Sequence, residues 1–154
     1  MQLANANIRA SSYLLAEMQV QCAQCTGSCR VVALGLRPGH EVLVDDEWQS
    51  VDANAFIFHI SVLPDPVGRL LLERSATFRP TSSDDRAESS WVNHCPDCAA
   101  VLSDDELHCE PGGFMPGSIE EAQAISLTQV EQPFSAVAAG YALEPEYFAS
   151  MHGR

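Results

Sequence analysis

Two Cys-x-x-Cys pairs stand far apart in the chain and constrain its fold more than any other feature. The first pair is Cys22 and Cys25 and the second is Cys95 and Cys98, with the 69 residues from 26 to 94 between them. A Cys-x-x-Cys turn aims two thiolates at one point, and two such turns supply the four sulfurs of a tetrahedral zinc site. The spacing therefore predicts one structural zinc ion on all four cysteines, with a long insertion between two zinc knuckles.

The same cysteines leave other interpretations open. The segment from Cys95 to Cys98 resembles the Cys-Pro-x-Cys motif of thiol oxidoreductases, although the βαβ pattern that surrounds such sites is missing from the sequence. Buried free thiols or another metal ion would also be consistent with the spacing. These alternatives differ in metal content and in thiol reactivity.

Four further side chains are potential ligands: Cys29, Cys109, His94 and His108. With the paired cysteines they would suffice in number for two metal sites, but other roles are simpler. We expect Cys29 to be a small buried side chain and Cys109 to be a half-exposed strand residue. His94 adjoins Cys95, and adjacent side chains usually point apart, so we predict that His94 is not a ligand.

The pattern of apolar residues predicts strands early in the chain. Residues 18–36 have the pattern of a strand, a tight turn that holds the first cysteine pair, and a second strand. Residues 55–63 predict another strand, whose even-numbered residues mark one face. Asp65, followed by proline, is typical of a helix N-cap, and we expect a short helix as far as about Glu73.

The second half of the chain has weaker patterns. Ser118 begins a capping box and a short helix, residues 103–106 form a capping box or an acidic turn, and residues 145–151 predict a final helix. Residues 81–90 are polar and predict an exposed loop. We therefore predict a β-rich α+β fold, with residues 1–154 forming a single domain.

The chain is strongly acidic. It has 21 Asp and Glu residues against eight Arg and Lys residues, which gives a formal net charge of −13. Nucleic-acid binding depends on a basic face that neutralises phosphates, and the eight basic residues are scattered, so this function is disfavoured. The acidic runs 45–47 and 104–106 are either solvated surface or a surface for a basic protein partner.

The sequence shows no targeting or membrane-spanning pattern. The N-terminal residues lack a charged segment followed by a long apolar stretch, and no apolar run approaches the roughly 18 residues of a membrane helix. We therefore expect a soluble cytoplasmic protein with no membrane partner. In a reducing compartment, cysteines are metal ligands or buried thiols more often than disulfides.

One group of residues has the chemistry of an acid–base cluster. His59, His108 and Glu110 are of suitable types, and Asp104 and Asp105 lie near two of them in sequence. Nothing in their linear spacing brings them together, so we predict no catalytic residues.

The cysteine segments also carry a family resemblance. The sequence WVNHCPDCAA, followed by LHCEPGGFMP, resembles a group of uncharacterised bacterial zinc-ribbon-like proteins, and the match covers residues 18–36 and 90–116. The resemblance implies a zinc-ribbon-like core with zinc on the four paired cysteines, and it implies no activity. The chain departs from the pattern at Ala99, where a knuckle usually has a glycine in a left-handed backbone conformation.

These observations favour a small structural-zinc protein that acts as a protein-binding or adaptor module. The alternative class is a thiol-redox or zinc-dependent enzyme. A nucleic-acid-binding zinc ribbon is the third and least favoured hypothesis, because of the charge.

Overall fold

A large mixed sheet forms most of the structure. The computed structural model describes residues 3, 5–82 and 89–153, and within these residues the sheet has twelve strands. The strands are β1 (Ile8–Ala10), β2 (Tyr13–Gln21), β3 (Ser28–Leu36), β4 (His40–Val44), β5 (Glu47–Val51), β6 (Ala55–Val62), β7 (Phe78–Ser82), β8 (Ser89–His94), β9 (Val101–Leu102), β10 (Ser126–Val130), β11 (Phe134–Leu143) and β12 (His152–Gly153). The helices are α1 (Asp65–Arg74), α2 (Asp104–Cys109) and α3 (Ile119–Gln123), with a 3-10 turn at Phe148–Ser150. The prediction of a β-rich α+β fold is confirmed.

The strand order places both cysteine segments near the middle of the sheet. The order is β12-β10-β2-β3-β6-β11-β1-β4-β5, and β8 pairs with β6, β7 and β9 beside this path. All pairings are antiparallel except that of β10 with β12. The first cysteine pair lies in the turn between β2 and β3, and the second lies between β8 and β9.

The middle of β3, the strand that follows the first cysteine pair, is covered on both faces. Val32 and Leu34 of β3 belong to a core cluster that includes Leu71 of α1. Val31 and Ala33, which point to the opposite face, belong to a second cluster with residues of α2, α3 and β10. Because successive side chains of a strand alternate between faces, β3 is an apolar strand throughout its middle.

A buried amide joins β3 to β8. The Asn93 side-chain oxygen accepts a hydrogen bond from Val32 N at 2.8 Å, and its Nδ2 donates to Val32 O at 2.9 Å. Asn93 is fully buried, so these two bonds satisfy polar groups that water does not reach. The amide therefore takes the place of a backbone pairing between the strand that follows the first cysteine pair and the strand that precedes the second.

The sequence predictions of local structure had mixed outcomes. The strand–turn–strand at 18–36 and the strand at 55–63 are confirmed, and the Ser118 hydroxyl caps α3 by accepting from Glu121 N. The face of β6 was predicted wrongly. His59 has a φ of 51°, which interrupts the alternation and lets Ile57 and Ile60 join one core cluster.

Three other predictions differ from the structure or fall outside it. The helix predicted over 145–151 is wrong, since only a 3-10 turn forms there, and the N-cap of α1 is Pro64, one residue before Asp65. β10 and β11 were not predicted. The exposed loop predicted over 81–90 lies largely outside the described residues, which stop at 82 and resume at 89.

Replacing Asn93 with alanine should lower the free energy of unfolding by about 2–4 kcal/mol, because Val32 N–H and C=O are left buried without partners. Urea denaturation measures this loss. Asn7→Ala is the matched control, since the Asn7 amide bonds to Ala138 N and O in the same way but is only half-buried. Water can replace its bonds, so the control should lose clearly less stability. Equal losses would contradict the role assigned to the Asn93 amide.

Candidate metal centre

The first knuckle, the turn that holds Cys22 and Cys25, is closed by backbone hydrogen bonds. Cys22 N donates to Gly27 O at 2.8 Å, and Thr26 N donates to Cys22 O at 2.9 Å. Thr26 has a φ of 61°. This left-handed residue reverses the chain directly after Cys25, so that both thiols of the pair lie on one side of the turn.

The second knuckle, the turn that holds Cys95 and Cys98, has the same backbone hydrogen bonds. Cys95 N donates to Ala100 O at 2.8 Å, and Ala99 N donates to Cys95 O at 2.9 Å. Ala99 has a φ of 62°, so it occupies the position where the family pattern has glycine, and it keeps the left-handed conformation. The left-handed region costs a residue with a Cβ atom roughly 1–2 kcal/mol. The turn is therefore regular, and its backbone bonds hold a conformation that alanine alone does not prefer.

The four sulfurs of the two knuckles converge. Cys22 Sγ and Cys98 Sγ lie 3.7 Å apart, Cys25 Sγ and Cys95 Sγ lie 3.5 Å apart, and all four sulfurs lie within 4.8 Å of one another. Tetrahedral Zn–S bonds of about 2.3 Å would place the sulfurs roughly 3.8 Å apart. The arrangement therefore fits a single metal ion at its centre.

A glycine lets the knuckles approach each other. A Cβ atom at Gly27 would lie 2.5 Å from an Asp97 carboxylate oxygen, closer than non-bonded atoms approach. The first knuckle thus meets the second at Gly27, where a larger residue would require the Asp97 side chain to move. This contact supports the convergence of the sulfurs.

Backbone N–H groups prepare the first cysteine of each pair as a thiolate. The N–H of Cys98 donates to the Cys95 sulfur and, with a further contribution from Asp97 N–H, lowers the pKa of Cys95 to about 6. The N–H groups of Cys25 and Gln24 likewise lower the pKa of Cys22. Metal binding requires deprotonated thiols, so these N–H groups favour the cation-binding form at Cys22 and Cys95. The neighbouring sulfurs and burial raise the pKa of Cys25 and Cys98.

The centre lies at the edge of the second core cluster. Cys22 and Cys95 are buried, while Cys25 and Cys98 are exposed. The buried pair packs in the same cluster as Val31, Leu102 and Phe114. A substitution of Cys22 or Cys95 would therefore also disturb the packing of this core cluster.

The structure places the other potential ligands outside this group. Cys29 is buried, as predicted, and burial raises the pKa of its thiol to about 12. His94 is buried with Nδ1 3.1 Å from Thr77 O. Cys109 is exposed at the end of α2, so the expectation of a half-exposed strand residue is wrong. His108 stacks on Phe58 with ring centroids 4.5 Å apart.

A histidine–aspartate contact that sequence spacing did not indicate joins α2 to β6. His59 N donates to Asp104 Oδ2 at 2.8 Å, and His59 Nε2 lies 2.8 Å from Asp105 Oδ1. The adjoining cavity, which Asp104 and His108 help to line, has a volume of about 10 Å³. That is room for about one water molecule. The contact therefore attaches the helix to the sheet.

No protein-family model, curated protein or solved structure matches this chain. The four-cysteine cluster is consistent with the zinc-ribbon-like motif inferred from the sequence. No helix among the described residues is long and apolar enough to cross a membrane.

Replacing Ala99 with glycine should raise the free energy of unfolding by about 1 kcal/mol, since glycine adopts the left-handed conformation without the steric cost of a Cβ atom. Chemical denaturation checks the sign. The control is Ala124→Gly, at an exposed alanine whose φ is −78°, and it should lower stability by about 0.5–1 kcal/mol. The same sign at both positions would show that the left-handed strain is absent.

Burial lowers the pKa of His108 to about 3, whereas a histidine in the unfolded chain titrates near 6.5. Between these values the unfolded chain binds one more proton than the folded chain. His108 should therefore reduce the free energy of unfolding by about 1.4 kcal/mol for each pH unit of acidification.

His108→Phe keeps an aromatic ring between Phe58 and Phe114 and should flatten the pH dependence by that amount. Urea denaturation from pH 6 to pH 5, below the unfolded pKa, measures the slope. His152→Phe, at an exposed histidine, is the control and should keep the wild-type slope. An unchanged slope in His108→Phe would contradict the prediction.

Proposed function

We propose that this chain is a structural-zinc protein. One zinc ion on Cys22, Cys25, Cys95 and Cys98 completes a zinc-ribbon-like core and holds the two knuckles together. The observation that carries this proposal is the convergence of four sulfurs from two equivalent turns. Four thiolates complete a tetrahedral site, and a catalytic zinc needs a position open to water or substrate.

The sulfur geometry favours a shared ion over a redox disulfide. Sulfur–sulfur distances of 3.5 and 3.7 Å join one knuckle to the other, close to the separation expected around a shared zinc ion. A redox Cys-x-x-Cys site would instead pair the two cysteines of one motif. A thiol-redox enzyme is the alternative hypothesis, and it predicts a different metal content and thiol reactivity, which the experiment below measures.

The proposed cellular role is that of a cytoplasmic adaptor module with a basic protein partner. The net charge of −13 supports it, because a strongly acidic surface attracts basic partners and repels nucleic acid. The turn between β4 and β5 also supports this role, because its two central residues, Asp45 and Asp46, present exposed carboxylates. Their φ values of 50° and 64° are those of a type I′ hairpin turn.

Elemental analysis of freshly purified protein, combined with thiol titration, tests the metal site. We expect about one zinc per chain in the wild type and loss of zinc in Cys95→Ser, because three thiolates leave the site incomplete. Cys109→Ser is the control, since Cys109 is exposed and lies outside the cluster. Iron in place of zinc would contradict the metal assignment. Metal-free protein with a reversible Cys95–Cys98 disulfide would support the redox enzyme.

Removing the metal with a chelator should destabilise the whole fold. Structural zinc is worth about 10–16 kcal/mol in finger peptides, so a loss of several kcal/mol is expected here. At about 2–4 °C per kcal/mol, the unfolding temperature should fall by roughly 10 °C. Calorimetry with and without chelator measures the shift, and Cys95→Ser should show none. An unchanged unfolding temperature of the wild type would contradict a structural role.

A further inference from the structure

β2 extends beyond the strand that covers its outer edge. β10 pairs with β2 from Tyr13, opposite Val130, to Glu17, opposite Ser126. β2 itself continues to Gln21. Among the residues that the structure describes, no strand pairs with this edge from Met18 to Gln21.

Two residues of this segment direct their backbone polar groups outward. Cys22 N donates to Gly27 O, so Cys22 faces across the hairpin towards the β3 side. Residues of an antiparallel strand alternate in the edge to which their N–H and C=O point. Gln19 and Gln21 therefore face the outer edge, and within the described part of the chain neither makes a backbone bond there. Both residues are exposed.

A groove of about 270 Å³ runs along this free edge. Gln19 and Gln21 form one wall, and residues 111–113 and Leu107 of α2 form the other. A Cβ atom at Gly113 would lie 2.5 Å from Leu107 O, so glycine allows the loop to lie directly against the helix. The loop is thereby held against α2 on the far side of the groove from β2.

The lining of the groove suits an extended peptide. Val20, Leu102 and Leu107 offer apolar contacts, and the free edge of β2 offers hydrogen-bond donors and acceptors. This is the combination used when a peptide adds a strand to a sheet, in which main-chain bonds give affinity and side-chain contacts give selectivity. Glu106 is the one charged residue of the lining.

The charge of the chain distinguishes between two possible ligands of this groove, a second copy of the chain and a segment of a different protein. A second copy of this chain would bring another net charge of −13 and another Glu106 to the groove. Repulsion of like charges opposes that pairing, whereas a segment with Lys or Arg would be attracted. The charge therefore favours a basic segment of a different protein.

We propose that the free edge of β2, at Gln19 and Gln21, binds an extended basic segment of a partner protein as an added β-strand. The segment continues the line of β10 along β2 and reaches the first knuckle. Its basic side chains lie near Glu106. This inference rests on the proposed adaptor role and names the surface and the partner chemistry for it.

Two synthetic peptides test the proposal on zinc-loaded, ¹⁵N-labelled protein. The basic probe alternates lysine and valine over five residues, and the acidic probe alternates glutamate and valine. The basic peptide should shift the amide resonances of Gln19 and Gln21, with an affinity that falls as salt is added. Equal binding of the acidic peptide, or shifts confined to other surfaces, would overturn the proposal.

Two variants at position 19 distinguish the contribution of the backbone N–H to peptide affinity from that of the side chain. Gln19→Pro removes the outward N–H, and an edge strand tolerates proline where the N–H faces solvent. It should weaken the basic peptide about tenfold or more, while Gln19→Ala, which keeps the N–H, should stay within about threefold. Similar affinities for the two variants would overturn the role of the β2 edge.

A proline on the opposite edge of the sheet controls for general effects. Val51 O accepts from Gly39 N, so the alternation turns the neighbouring exposed Ser50 outward on β5. Ser50→Pro should bind the basic peptide as the wild type does. A tenfold loss in this variant would show that the Gln19→Pro effect is not local to β2, and would overturn the proposal.

Sedimentation and metal analysis of the same samples complete the test. A wild-type dimer that Gln19→Pro dissociates would identify a second copy as the occupant and overturn the proposal. Zinc-loaded protein that fails to bind the basic peptide refutes the groove and leaves the zinc proposal intact. Peptide binding at Gln19 and Gln21 by protein that has never held zinc refutes the zinc proposal and supports the groove.

Discussion

The pair of hydrogen bonds between the Asn93 amide and the Val32 backbone determines how the two halves of the candidate metal centre meet. β3 follows the first knuckle and β8 precedes the second, and this amide fixes one strand against the other at full burial. Asn93 lies two residues before Cys95. The sulfurs are therefore brought together by the protein core, and a metal ion would find a largely preorganised site.

The clustering of the four cysteines was predictable from the sequence, because each pair depends on local spacing. Cys22 and Cys25 lie in a hairpin turn whose strands follow from the alternation of apolar residues. The features that the sequence did not predict depend on contacts between distant segments. Asn93 meets Val32 across 61 positions, and His59 meets Asp104 across 45, and nothing in either neighbourhood indicates its partner.

The knuckles show how tertiary structure overrides a residue preference. Glycine is the expected residue after the second cysteine, yet Thr26 and Ala99 adopt the same left-handed conformation there. The backbone bonds to Cys22 and Cys95 have the same pattern in both turns, so the geometry is set by the turn as a whole. The departure from glycine at Ala99 therefore leaves the second knuckle regular, and Thr26 makes the same departure in the first knuckle.

The long excursion between the cysteine pairs has a consequence for the order of folding. Residues 26 to 94 include β3 to β8 and α1, so the convergence of the four thiols depends on the packing of β3, β6 and β8 in one sheet. Closing a loop of this length before its contacts form carries an entropic cost, and structures dominated by distant contacts fold slowly. Unlike a small zinc finger, in which the ion nucleates the fold, this chain would have to form most of its topology before its four thiols could bind a metal ion together.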